Sequence, residues 1–168
     1  MKVSEIGQLV KGAETLLSQG VAEKDAFLKD LYFKSSIAFS WFGLEGFISL
    51  AFSDFISLKS LELHERAFLS EQKLEYSNGN FVISGTKYLP TRDKLIFLLK
   101  RFGNYNINNE DLLWANLRNV EDWRNSLVHP KAQQSAAITK KHAQISLDTI
   151  KSVISLVYKK VYKKTARF

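Results

Sequence analysis

Apolar residues recur at helical spacing through most of this chain. Between residues 3 and 18 they fall at Val3, Ile6, Leu9, Val10, Ala13, Leu16 and Leu17, a period that predicts one amphipathic helix. Gly20 is expected to end it. Residues 22–34 read as a second helix that can run on into the apolar stretch 35–69. That stretch carries Phe39, Phe42, Phe47, Ile48, Phe52, Phe55 and Ile56, enough apolar surface for a central core helix.

The pattern then changes. Leu74-Glu75-Tyr76-Ser77 and Phe81-Val82-Ile83-Ser84 flank Asn78-Gly79-Asn80, and Asn-Gly readily takes the positive φ angles of a tight hairpin turn. A two-stranded ribbon over about 74–84 is predicted. It should pack against a helix, because an isolated hairpin is marginal in water. Thr91 is expected to cap a helix reaching about Arg101, with Leu95, Ile96, Leu98 and Leu99 turned inward. After a polar connector, Asn109 is expected to cap the next helix, with Glu110 and Asp111 at its positive end. Its apolar stripe is Leu113, Leu117, Val120 and Leu127, broadened by Trp114 and Trp123. Pro130 lacks an N–H and pushes His129 away from helical angles. A basic last helix runs from about Thr139 to Tyr162, its lysines reaching 164. The whole reads as a single all-α helical bundle, residues 1–168, with a small β-hairpin insertion.

Composition narrows the class. With 168 residues and 45% hydrophobic side chains, the chain is long enough for a core of its own. It contains no Cys, which excludes a disulfide scaffold and a thiolate metal site and fits a cytoplasmic location. The segment from Met1 to Glu5 carries no apolar signal-peptide core. Ile37 to Ser53 is nearly uniformly apolar or small, with Glu45 its only charge. A bilayer span needs about 20 such residues, and a charge near its centre costs on the order of 3 kcal/mol. Ser36, Ser40, Gly43, Gly46, Ser49 and Ser53 form a ridge of small residues that admits a neighbouring helix. The stretch therefore reads as a buried central helix, with no membrane partner.

Charge is unevenly spread. Residues 1–130 carry 15 basic and 16 acidic side chains, a net of −1, whereas residues 131–168 carry 9 basic and 1 acidic, a net of +8. A cationic segment of this kind favours a polyanion. A solvated face that keeps the protein soluble is the alternative. In Tyr158-Lys159-Lys160-Val161-Tyr162-Lys163-Lys164 the lysine pairs repeat at a spacing of four, so one helical face can present both to phosphates. The tyrosines can stack on bases or cover the helix end.

The candidate chemistry lies in Arg124-Asn125-Ser126-Leu127-Val128-His129-Pro130. Histidine gives and takes protons near neutral pH. Arginine holds phosphate oxygens with a rigid fork of donors. On a regular helix a separation of five residues is about 140° around the axis, so Arg124 and His129 do not share a face by default. A break at Pro130 can swing His129 toward the arginine, and a second copy of the helix would bring two such pairs into one cleft. The alternative is that His129 is a helix C-cap and Arg124 a surface partner of Glu121 or another acid. Glu45 needs a partner or an exit to water: it can pair with Arg124 across the core, or sit exposed. Asp54 and Asp122 are weaker versions of the same idea. His64 and His142 lack metal-ligand spacing and read as solvated helix residues. Ser126 has no base triad, and no phosphate-cradling glycine loop is present.

On the six residues Arg124 to His129, at the end of an amphipathic helix, the chain resembles the HEPN superfamily of nucleotide-binding domains. Its ribonuclease members carry an Arg, four to six intervening residues and a His. The helix order is also similar, with an acidic residue inside the long helix and the hairpin as an insertion. The resemblance implies a metal-independent endoribonuclease that works as a homodimer on RNA, without a cofactor. It implies that His129 moves protons, Arg124 binds the phosphate and Asn125 orients RNA or the histidine. Beside it, the residues themselves offer Glu45 as a support for the arginine and Lys159, Lys160, Lys163 and Lys164 as contacts to RNA phosphates. The resemblance further implies a toxin or antiviral effector, which can have an antitoxin or other regulatory protein as partner. The alternative within the same fold is a non-catalytic RNA- or protein-binding dimerisation module.

Overall fold

The computed structural model describes residues 3–108, 110–129 and 137–166. Six α-helices, a two-stranded antiparallel sheet and a closing π-helical turn make up the described fold: α1 (Val3–Ala22), α2 (Ala26–Phe55), α3 (Leu63–Leu69), β1 (Gln72–Ser77), β2 (Asn80–Thr86), α4 (Thr91–Arg101), α5 (Leu112–Val128), α6 (Lys140–Val157) and the turn Tyr158–Tyr162. The architecture is an all-α bundle with a β-hairpin.

The helix expected from 22 does run on into the apolar stretch, but it stops short of 69. Asp25 caps α2 by accepting from the Leu28 N–H at 2.9 Å, and α2 then runs unbroken to Phe55. Turns follow, and α3 begins separately at Leu63. At 30 residues α2 is about 45 Å long. It touches α1, α3, α4, α5 and α6. By length and composition alone it is able to cross a membrane. Here Ile37, Trp41, Leu44, Phe47, Ile48, Ala51 and Phe52 are buried among the other helices. Each large apolar side chain so buried stabilises the fold by about 1.5–3 kcal/mol. The opposite side keeps Phe27, Leu31, Phe39 and Phe42 exposed, so α2 is apolar nearly all round.

Gly20 does not end α1, which continues to Ala22. Its role is one of space: a Cβ there would stand 2.6 Å from the Phe33 ring, so α1 and α2 close on each other only because none is present. The small-residue ridge serves the same interface in its first half. Ser36 donates to the Ala13 carbonyl at 2.8 Å and Gly43 lies against Val10, while Ser49 and Ser53 face outward.

The hairpin forms with Ser77 opposite Asn80 and Tyr76 opposite Phe81. Asn78 and Gly79 take φ of 50° and 81°, as the tight turn requires. Gly85, at φ 54°, is the additional residue of a bulge opposite Gln72 and Lys73. The ribbon packs less than expected: every β1 residue is exposed, and β2 is half-buried only at Ile83 and Ser84. It is held at its base, where Glu71 accepts from the Lys87 N–H at 2.7 Å and pairs with Lys94 at 2.6 Å.

The expected stripes of α4 and α5 are largely those observed. Leu95, Leu98, Leu99, Trp114, Leu117 and Val120 are buried. Ile96 is only partly so and lines an open groove with Phe68 and Phe97. Asp111, not Asn109, occupies the cap position of α5, and Asn109 lies outside the described residues. Thr91 is the first residue of α4 instead of its cap, a position held by Pro90.

Candidate active site

The C-terminal turns of α5 bring Arg124 against the middle of α2. There the Arg124 guanidinium meets the Glu45 carboxylate, Nη2 to Oε1 at 3.8 Å. This is one of the two arrangements open to Glu45 from the sequence. The other partner considered for Arg124, Glu121, is taken by Arg92 at 2.5 Å. Glu45 is itself held from two sides. Trp41, one helical turn earlier, donates its indole N–H to Oε1 at 2.7 Å, and the Thr91 hydroxyl donates to the same oxygen at 3.3 Å. Trp41 is 2% exposed, so this carboxylate oxygen is fixed by a buried donor. Such an anchor matters for an arginine whose side chain is still 23% exposed, because a long side chain otherwise samples many rotamers.

Arg124 Nη1 donates to the Asn125 amide oxygen at 3.1 Å. Its Nε is buried and has no hydrogen-bond partner. The guanidinium is thus braced by a carboxylate and an amide, with donor capacity left over. Arginine carries five N–H donors, and unsatisfied ones are costly when removed from water.

His129 is the residue at which α5 stops. Its N–H still closes on the Asn125 carbonyl at 2.9 Å, but its angles are φ −126° and ψ 68°. The departure from helical geometry expected at this residue is therefore present. Pro130, the residue held responsible for it, lies outside the described residues. The His129 side chain is exposed, and among the described residues no hydrogen bond or ion pair joins it to Arg124. Within one chain, Arg124, Asn125 and Glu45 are assembled and His129 stands at the helix end beside them in sequence.

The other candidates have local roles. Ser126 donates to the Trp123 carbonyl at 2.6 Å, a bond within its own helix. His64 lies 3.4 Å from Glu62 at the surface. Asp122 is exposed, and Asp54 accepts from the Tyr162 hydroxyl at 2.7 Å. His142 is more than a solvated helix residue. Its Nδ1 accepts the Thr139 N–H at 3.1 Å and closes a capping box at the start of α6, while its ring lies 4.6 Å from that of Trp123. The ring is thus packed on the residue next to Arg124.

The tail resolves by residue type. Tyr158 lies 5.2 Å from Phe47 and Tyr162 5.7 Å from Phe55, so both cover the bundle. Burial, and for Tyr162 the hydrogen bond to Asp54, push both phenols above their ordinary pKa. Lys160 sits 5.2 Å over the Tyr105 ring, and Lys159 is exposed. Lys163 turns left-handed at φ 55° and donates to the Lys160 carbonyl. The helix has ended by then, so Lys163 and Lys164 do not continue the face begun by Lys159 and Lys160.

Trp41 is not singled out by the sequence reading, and Thr91 enters it only as a helix cap. The four-residue spacing of Trp41 and Glu45 on an apolar helix is a readable signal, because such neighbours touch. Nothing local connects Thr91 to Glu45, which lies 46 residues away. The chain matches no family model, no curated protein and no solved structure.

Proposed function

We propose that this protein is a metal-independent endoribonuclease of HEPN type that acts as a homodimer. The observation that carries the reading is the braced guanidinium. Arg124 is held by Glu45 and Asn125 on the last turns of the helix that His129 terminates, and each of its two terminal nitrogens carries a second N–H beyond the one so engaged. A phosphodiester of RNA meets these groups as follows. The ribose 2′-OH loses its proton to an imidazole and its oxygen attacks the adjacent phosphorus. The bond from phosphorus to the 5′-oxygen breaks, and that oxygen takes a proton from an imidazolium. The product is a 2′,3′-cyclic phosphate. Arg124 offsets the charge that grows on the phosphoryl oxygens. Proton transfer of this kind contributes about 10²–10⁴-fold. Because His129 and Arg124 are not bonded to each other in one chain, a second copy supplying its own helix end is part of the proposal. A role as a toxin or antiviral effector, with an antitoxin or other regulator, rests on the resemblance alone.

The test uses purified wild type and His129→Ala with total RNA in EDTA. Wild type should cleave and leave cyclic phosphate ends, and His129→Ala should lose nearly all activity. Equal inactivity of the two refutes catalysis, and cleavage abolished by EDTA refutes metal independence. Light scattering should give a dimer. A second reading is favoured by the fact that both terminal nitrogens of Arg124 are already engaged within the chain. In that case the fold is a non-catalytic RNA- or protein-binding dimerisation module, and RNA is retained without scission.

A further inference from the structure

A cavity of about 200 Å³ opens at Glu45, the carboxylate that meets Arg124, between α2 and the segment that joins β2 to α4. Ile48 and Leu89, both buried, give it an apolar side. Glu45 and Thr91 supply its polar wall, and Tyr88 stands at the rim with 82% of its surface exposed. Lys94 also lines it, but its ammonium is committed to Glu71 at 2.6 Å. Glu45 faces both places. The donors from Trp41 and Thr91 and the approach of Arg124 all converge on Oε1. No hydrogen bond among the described residues reaches Oε2, although the side chain is about two-thirds buried.

An aromatic face, an apolar wall and one free carboxylate oxygen suit a splayed-out nucleobase, which stacks on rings and is read along its polar edge. The volume is below the range of about 300–1,000 Å³ that holds drug-sized ligands, and it suits a single heterocycle. We propose that this cavity is a nucleobase subsite next to the phosphate position at Arg124, with Tyr88 stacking and Glu45 Oε2 accepting from an exocyclic amino group. This rests on RNA being what Arg124 binds. A carboxylate oxygen only accepts. Adenine, cytosine and guanine each present an amino group to it. Uracil presents two carbonyl oxygens beside its one ring N–H, and they repel it. The subsite therefore selects amino-bearing bases over uracil.

The experiment measures binding separately from cleavage. Non-cleavable 2′-O-methyl uridine oligonucleotides carry one central adenosine, cytidine, guanosine, uridine or abasic residue, and affinity is read by fluorescence anisotropy. Wild type should bind the three amino-bearing oligonucleotides about tenfold more tightly than the abasic one, from the usual range for a stacked base. Tyr88→Ala, at an exposed position, should remove most of the tenfold advantage of the base-bearing oligonucleotides over the abasic one, and Tyr88→Phe should retain it. Equal binding of all five by wild type, uridine bound as tightly as the three amino-bearing bases, or base affinities unchanged by Tyr88→Ala overturns the subsite. Cleavage of unmodified RNA with no base preference also overturns it and leaves the nuclease standing. Base discrimination with no cleavage supports the subsite and defeats the nuclease reading. Absence of RNA binding defeats both.

Discussion

Replacing Trp41 with Phe removes the indole N–H that fixes Glu45 while keeping an aromatic ring in the core. A hydrogen bond to a charged group contributes about 1.5–3 kcal/mol net. The lower end applies here, because the Glu45 side chain is 36% exposed and water can replace part of the bond. The site of the lost ring is 2% exposed, so the void it leaves costs about 1 kcal/mol more. Together these predict a loss of about 2–3 kcal/mol. For a chain of this size that lowers Tm by about 5–10 °C, read by far-UV circular dichroism. A double-mutant cycle with Glu45→Ala separates bond from packing. Glu45→Ala strands a buried donor in wild type but not in the Trp41→Phe background, so the pair should couple by about 1 kcal/mol or more. Additivity within about 0.3–0.5 kcal/mol would show that the 2.7 Å contact does not hold the carboxylate.

Two glycines of α1 should respond in opposite directions. Gly20→Ala forces a methyl against the buried Phe33 ring and should cost about 1–3 kcal/mol, whereas Gly7→Ala, with open space around it, should gain about 0.5–1 kcal/mol; equal Tm shifts would contradict the packing described. Glu65 joins α3 to α4 through Arg101, whose hydrogen bond, followed by that of the Glu62 N–H, holds its carboxyl below the ordinary 4.5. The unfolded chain binds that proton at higher pH, so the stabilisation is complete above about 4.5 and is lost as pH falls through the depressed native value. Glu65→Gln should flatten the acid limb of a series of urea midpoints, and an unchanged limb refutes the assignment. Replacing Lys159, Lys160, Lys163 and Lys164 together by Ala should lower the salt dependence of RNA binding by up to about 3 in the log–log slope, at about 0.7 per single-strand phosphate contact. An unchanged slope in filter binding removes the tail from the interface.

What could be read in the chain follows the range of the interactions. The hairpin was legible because Asn78-Gly79 states its own backbone angles. The buried faces of α4 and α5 were legible because periodicity reports burial directly. The pairing of Glu45 with Arg124 was one of two readings, since a carboxylate in an apolar helix must find a donor or water, and sequence alone does not say which. The misreadings involve contacts distant in sequence. Gly20 resembles a helix stop, yet its lack of a side chain admits a ring from the next helix. Thr91 resembles a cap, yet its hydroxyl turns to Glu45. The lysine face was drawn on a regular helix, and the π-helical turn followed by a left-handed Lys163 ends that regularity before the second pair.

The two ways in which secondary structure is attached here set where the chain tolerates changes in length. A residue inserted into α2 between Trp41 and Glu45 rotates everything beyond it by about 100° and parts the indole from the carboxylate. The ribbon is anchored only at its root, so residues added at Asn78-Gly79 project into solvent and displace nothing in the bundle. That tip is the natural place for a fluorophore or affinity tag.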